Sequence, residues 1–319
     1  MSDDRAEIAG LLAGRLALVT GKGGTGKTTF ASALAMLAAA EGRRVLLAEV
    51  DAKHPSLPVI FGAGGSWEPV SVRPNLDVAN LTWQEALGAF LERVVPSRRL
   101  VGAVLSNAAL ARFLDFTPGS RELVTLSAVE QHTSRYDLVV VDMPASGHAL
   151  SLLDVTRSAL GLFRSGPIRQ RAAQLRDRIL HIDTHVVLVA LPEEMVVSET
   201  IETAERLGAI GLLSRPPQIF LNRATPPTMT EDEGTLLARL AEAPLSDAGR
   251  EFVRAGRWEA AMEAASAAAM AGIEAGCGRV PIPVHAMAPD ASPTQVVQEV
   301  AVALGRRVGR ARSEVEWTT

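Results

Sequence analysis

A chain of 319 residues, 47% hydrophobic and 21% charged, has the make-up of ordinary globular protein and the length for one large α/β domain or two smaller ones around a substantial core. Its formal net charge of −4 gives no reason to expect a nucleic-acid surface. The one cysteine, Cys277, excludes an internal disulfide, fits a reducing compartment and cannot build a Cys-rich metal site alone.

The opening residues, Met1-Ser2-Asp3-Asp4-Arg5, are acidic and lack the apolar segment of a secretory signal. No run of about eighteen apolar residues predicts a membrane span, so a cytoplasmic protein is expected. Leu16-Ala17-Leu18-Val19-Thr20 predicts a strand, and the Ala/Leu-rich residues 30–40 predict a helix. Between them, Gly21-Lys22-Gly23-Gly24-Thr25-Gly26-Lys27-Thr28-Thr29 satisfies the phosphate-loop pattern G-x-x-x-x-G-K-[ST] in the strand–loop–helix setting that gives it meaning. Gly21, Gly23, Gly24 and Gly26 let backbone N–H groups curl round phosphate oxygens, Thr25 and Thr29 complete the loop, and the helix N-terminus adds its positive dipole end. Lys27 has the charge and reach for the β- and γ-phosphates of ATP, and the Thr28 hydroxyl is placed for a bridging Mg2+. Lys22 is not required by an ordinary phosphate loop, and taken alone it is a solvated surface charge.

Val45-Leu46-Leu47-Ala48-Glu49-Val50 predicts the second strand and ends in Asp51-Ala52-Lys53-His54-Pro55. Asp51, just past the strand end, either lies in the ligand crevice of an open α/β sheet and orients the attacking water, with a share in holding the metal, or caps a turn before Pro55. From residue 61 to 136 the alternation of strand and helix breaks down. Residues 62–65 and 73–75 read as loops, Leu76-Asp77-Val78-Ala79-Asn80 as a short edge strand, 83–95 as an amphipathic helix and the residues after Pro96 as further helix. Leu138-Val139-Val140-Val141-Asp142 is a buried strand whose terminal carboxylate suits a Mg2+ held through water. Residues 150–179 predict helix, 185–191 a strand, 192–207 a helix, 218–223 a strand, 281–287 the last strand and 293–308 the last helix. Asn222, closing the 218–223 strand, either pairs with the donor and acceptor edges of adenine or serves a turn. Arg306, Arg307, Arg310 and Arg312 read as a basic helix end, with acidic lipid as the alternative.

The segment from Gly21 to Thr28, with its early Lys22, resembles the deviant phosphate loop shared by the arsenite-pump and tail-anchored-protein-targeting ATPases, the cell-division and chromosome-partition ATPases and nitrogenase iron protein. Asp51-Ala52-Lys53-His54 resembles the first switch of the arsenite-pump and targeting ATPases, usually Asp-Pro-Ala-His, with Asp51 and His54 in register. Met143-Pro144-Ala145-Ser146-Gly147-His148-Ala149-Leu150, following Asp142, resembles their second switch, Asp-Thr-Ala-Pro-Thr-Gly-His-Thr-Leu, with Asp142, Gly147 and His148 in register. The resemblance spans residues 16–304. It implies a phosphate-loop α/β fold with a doubly wound, mostly parallel sheet and a helical insertion. It implies a Lys22 that reaches a partner subunit's nucleotide, a Gly147 near the γ-phosphate, and an Asn222 that reads adenine. His148 is a nucleotide sensor or a loop-packing residue.

The expected architecture is a single ATPase domain over residues 1–319, with mostly helical insertions at about 82–135 and 150–180. The expected function is a dimeric, Mg2+-dependent ATP switch, as a homodimer or paired with a related subunit, that captures or releases a protein or membrane-associated partner. The alternative is a partition or positioning ATPase working on a membrane surface or DNA. One cysteine argues against both an oxyanion pump with a soft-metal site and a bridging iron–sulfur cluster.

Overall fold

Strands covered by helices on both faces need apolar side chains on both, and the central strands of this chain are written that way. The computed structural model describes residues 2–50, 52, 54–94, 97, 99, 101, 119–162, 164–181, 183–211, 215–285 and 290–316. In chain order its strands are β1 (Leu16–Thr20), β2 (Val45–Val50), β3 (Val70–Arg73), β4 (Leu76–Leu81), β5 (Leu138–Asp142), β6 (Thr184–Ala190), β7 (Gln218–Ala224) and β8 (Ile282–His285). Among the described residues they form one sheet in the order β3-β4-β2-β5-β1-β6-β7-β8, parallel throughout except for the β3–β4 pair. The fold is that of a phosphate-loop α/β protein. β1 has β5 and β6 as neighbours, so the loop leaving β1 emerges at the middle of the sheet's C-terminal edge, where open α/β sheets bind ligands.

The helices are α1 (Ser2–Ala13), α2 (Lys27–Ala40), α3 (Leu57–Phe61), α4 (Trp83–Val94), α5 (Ser120–His132), α6 (Ser146–Leu162), α7 (Pro167–His181), α8 (Glu194–Ile210), α9 (Glu231–Ala241), α10 (Asp247–Cys277), α11 (Pro293–Arg307) and α12 (Arg312–Val315). The period-2 alternation of the strands divides the interior in two. Ala17, Val19, Val140, Val187 and Val189 join Ile8, Leu11, Leu34, Leu37, Val300 and Leu304 on the face covered by α1, α2 and α11. Leu16, Leu18, Val139, Val141, Val186 and Leu188 join Leu87, Leu126, Leu153, Leu175 and Ile273 on the face covered by α4 to α8 and α10. α2 is buried without interruption from Phe30 to Ala39, the state of a helix apolar on every side.

Two details differ from the sequence expectation. The strand at residues 76–80 is not the edge, because β3 pairs outside it, antiparallel, through a turn in which Asn75 takes φ 63°. β3 is short, half-exposed and irregular in register, so it lacks the apolar run that marks its neighbours. The opening residues, read only as no signal sequence, form α1, which buries Ile8, Leu11 and Leu12 against α2 and α11. Most of the helix expected after Pro96 lies outside the described residues.

Candidate functional site

The phosphate loop departs from β1 through a glycine because nothing larger fits. Gly21 has φ 146°, and a Cβ there would overlap the Val189 carbonyl of β6. Gly26, at φ 92°, precedes α2 so closely under Asn222 that a Cβ would strike the amide nitrogen. No side chain caps α2, which leaves the N–H groups of its first turn to an anion. The Lys22 carbonyl gathers the loop, accepting from Thr25 Oγ1 at 3.0 Å and Lys27 Nζ at 3.1 Å. Burial pulls the Lys27 ammonium below its usual range, opposed by the carboxylates of Asp142 and Glu199. A desolvated ammonium attracts an arriving anion more strongly than one in water does.

Thr28 Oγ1 donates to Asp142 Oδ2 at 2.5 Å, joining the start of α2 to the end of β5. The other carboxylate oxygen, Oδ1, is buried with no hydrogen-bond partner among the described residues. Burial raises the Asp142 carboxyl to about 6, against the Thr28 hydrogen bond, with Glu49 adding to the rise and Lys27 opposing it. A hydroxyl beside a carboxylate with an orphaned oxygen fits a hard divalent cation such as Mg2+, which needs only one or two protein ligands when phosphates and water supply the rest. Among the described residues no cluster of three or more His, Cys, Asp or Glu exists, and such a cation does not require one.

Asn222 approaches from the opposite side of the loop. Its Nδ2 donates to the Thr25 carbonyl at 2.8 Å and its Oδ1 accepts from the Arg223 N–H at 3.0 Å, with Arg223 at φ 55°. The amide therefore braces the loop itself. Past Asp142 the chain stays against β1: Met143 N–H donates to the Val19 carbonyl at 2.9 Å and Thr20 Oγ1 to the Pro144 carbonyl at 3.1 Å. α6 begins at Ser146, so Gly147 and His148 belong to its first turn. Gly147 is exposed and shares a groove of about 680 Å3 with Lys22 and Glu199, separate from the cleft that holds Thr28 and Asp142. Lys22 Nζ lies 3.6 Å from Glu199 Oε2 on α8, so its ammonium is paired within its own chain.

Asp51 and Lys53 lie outside the described residues. The chain around them is tied down by two buried side chains that no motif marked. The Asn80 amide clasps Ala52 from both sides, accepting its N–H at 3.2 Å and donating to its carbonyl at 3.0 Å. Glu49 accepts the N–H groups of Ser56 at 2.8 Å and Leu57 at 3.3 Å, closing the loop and capping α3. Each was visible as a polar residue inside an apolar strand run, a signal that goes unread without a partner to assign. His54, in the same loop, is exposed. A cleft of about 520 Å3 opens above these strand ends, with Lys27, Thr28 and Asp142 on one wall and Arg121, Glu122 and Thr125 of α5 on the other.

The sequence profile of the anion-transporting ATPases matches residues 14–165, from just before β1 to just past the end of α6. Over 266 residues the chain is 31% identical to ATPase BagA of Mycobacterium tuberculosis, an alignment covering 76% of this chain and 73% of that protein. The chain belongs to the anion-transporting, ArsA-like ATPase family. It is similar at 25% identity over 244 residues to an arsenical pump-driving ATPase of Acidiphilium multivorum, covering 69% of this chain and 41% of that one. An arsenical pump-driving ATPase of Escherichia coli is 26% identical over 224 residues, with 60% and 37% covered. As an ArsA-like ATPase the protein is an ATP-hydrolysing enzyme, and among its described residues no helix is long and apolar enough to cross a membrane.

Proposed function

We propose that this ATPase is a dimeric, Mg2+-dependent switch that couples the state of its nucleotide to capture or release of a protein or membrane-associated partner. One observation carries the reading. The cleft that begins at Lys27, Thr28 and Asp142 has α5 as its far wall, so a group filling it touches the sheet and the helical layer together. Lys27 would pair with the β- and γ-phosphates, and the N–H groups of the loop from Gly21 to Thr29 would surround them. Thr28 and Asp142, with Asp51 from the loop that Asn80 and Glu49 anchor, would hold Mg2+, which when bound offsets phosphate charge. Asp51 would also orient the attacking water. Asn222 would meet the adenine while bracing the loop. Lys22 would exchange Glu199 for a partner subunit's triphosphate, and Gly147, beside it in the groove, would respond to that closure. Residues 1–319 would act as one ATPase domain, with helical insertions at about 82–135 and 150–180, in a cytoplasmic setting.

The alternative of a lipid or DNA surface finds less support in the arginines near the C-terminus. Arg307 donates to Asp4 at 2.5 Å, Arg310 pairs with Glu41 and Glu314, and Arg312 with Glu299 and Glu316. Arginines neutralised in this way offer little net field to a phosphate surface.

ATP turnover per subunit, followed against protein concentration, tests the proposal. It is expected to rise as subunits associate. Lys27→Ala should abolish nucleotide binding, and Lys22→Ala should keep ATP binding while losing the concentration-dependent rate. A turnover independent of concentration, with one subunit per particle in ATPγS by light scattering, would overturn the dimer. ATP-dependent pelleting with anionic vesicles or DNA would favour the alternative.

A further inference from the structure

The strand order fixes which end of a nucleotide lies where. The phosphate loop sits over β1; Asn222 stands on its β6–β7 side, while Asp142 and Glu49 stand on its β5–β2 side. A triphosphate gripped by Lys27 and Thr28 with its terminal phosphate toward Asp142 therefore turns its base toward β7. The chain that runs on from β7 there, residues 225–230, has no regular structure and links β7 to α9. An irregular segment ordinarily leaves N–H groups to water or to a ligand. This one spends them all on side chains. Thr225 N–H donates to Ser266 Oγ at 2.9 Å, Thr228 N–H and Met229 N–H donate to Glu263 Oε1 at 3.0 and 3.2 Å, and Thr230 N–H donates to Glu233 Oε2 at 2.8 Å. Pro226 and Pro227 have no N–H to give.

The consequence is chemical as well as conformational. With each amide donor spent or missing, the main chain of 225–230 can only accept hydrogen bonds, through its carbonyl oxygens. Three of the four ties come from one face of α10, where Glu263 and Ser266 stand three residues apart. Ser266 is buried, and the Thr228 hydroxyl, 2.6 Å away, followed by the Thr228 N–H, holds the Glu263 carboxyl below the usual carboxylate range. Asn222 cannot choose a base by itself. One of its amide hydrogens goes to Thr25 and its oxygen already accepts from Arg223, which leaves one donor and one acceptor site that suit a ring carbonyl and an amino group alike. We propose that the 225–230 segment, pinned by Glu263 and Ser266, selects the base: its carbonyl oxygens take the exocyclic amino group of adenine and reject the carbonyl oxygen that guanine and hypoxanthine carry at the same ring position. Glu263 and Ser266 are positioning residues, which act by withholding the donors that a ring carbonyl would need. An acceptor set against an acceptor leaves both unpaired, the outcome that makes such discrimination steep. The inference rests on the nucleotide site proposed above.

The test is equilibrium binding, with Mg2+, of ADP, of IDP and of the diphosphate of unsubstituted purine riboside to the full chain and to its Glu263→Ala, Glu263→Gln and Ser266→Ala variants, together with steady-state ATP turnover. The parent is expected to bind ADP roughly 2- to 13-fold more tightly than the purine analogue, which lacks the amino group, and IDP more weakly still, at roughly a tenth of the ADP affinity or less. Glu263→Ala frees two donors and should cut the ADP-to-IDP ratio at least about threefold. Ser266→Ala should move the ratio the same way, and Glu263→Gln, which keeps an acceptor oxygen, should restore most of it. In turnover the loss should fall on KM for ATP more than on kcat, because neither residue touches a phosphate. A parent that binds ADP and IDP equally, or a ratio unchanged in both Glu263→Ala and Ser266→Ala, would overturn the selection while leaving the nucleotide site standing. A ratio lost in Asn222→Ala and kept in Glu263→Ala would assign the base to the asparagine and overturn it as well. A parent chain that binds none of the three nucleotides would overturn the site itself.

Discussion

Asn222 has a task that its position at a strand end did not reveal, since its amide holds the Thr25 carbonyl and so shapes the loop from outside. Removing one such hydrogen bond costs about 0.5–1.5 kcal/mol, which converts to a roughly 2- to 13-fold loss in affinity. Asn222→Ala is therefore expected to weaken ADP and ATPγS equally, measured by titration calorimetry; a change confined to adenine over guanine preference would point to base reading alone. His132 yields a pH prediction. It is buried at the end of α5, with neither ring nitrogen partnered among the described residues, and burial, then Arg135 and Arg93, pulls it from 6.5 to about 4. Between those values the unfolded chain carries the proton and the folded chain does not. Stability is thus complete above pH 6.5 and falls, on the order of 3 kcal/mol, as pH drops toward 4. Urea midpoints at pH 7 and pH 5 should separate clearly in the parent and much less in His132→Leu. At this scale the sequence was readable where local structure is set by spacing, as in the strand, glycine-rich loop and helix around Gly21 to Thr29. It was silent where a side chain's role depends on a partner reached through space, as with Asn80 and Ala52, or Arg121 and Trp83.

Among elements, the runs in β1, β5 and β6 were legible because burial on both faces leaves only apolar choices, whereas β3 was not, since an edge strand with one neighbour carries half the pattern. The helical layer is held together by a feature that no periodicity reports. Glu130, 2% exposed, receives Arg171 at 2.7 Å and Arg178, with Arg93 at 3.6 Å. Arg171 is itself 8% exposed and donates also to Ser127 Oγ at 2.8 Å. Cutting one partner from a buried pair strands the other charge, at a cost of about 3–5 kcal/mol. Glu130→Ala should lower the denaturant midpoint accordingly. A double-mutant cycle with Arg171→Ala should show that most of the loss is shared between the two; additive losses would mean that the pair does not act as a clamp.

For the whole molecule, the pairing of Lys22 with Glu199 would set a threshold for the proposed assembly. The two side chains are about one-third exposed, so their attraction is screened and contributes about 0–1 kcal/mol. If Lys22 must leave Glu199 to reach a partner's phosphate, Glu199→Gln should raise turnover at low protein concentration by up to roughly fivefold. The gain should shrink as salt is added, and unchanged turnover in low salt would remove Glu199 from the account. The two cores give the molecule its asymmetry. α2, buried from Phe30 to Ala39 between the sheet and α11, anchors Lys27 and Thr28 to a part of the protein that cannot shift without unpacking one core entirely. The phosphate-binding loop is consequently a stator. If that loop holds the triphosphate as proposed, any movement the γ-phosphate drives would have to appear in the opposite layer, the one built by α4 to α8 and α10, because that core can rearrange while the α2 core stays packed.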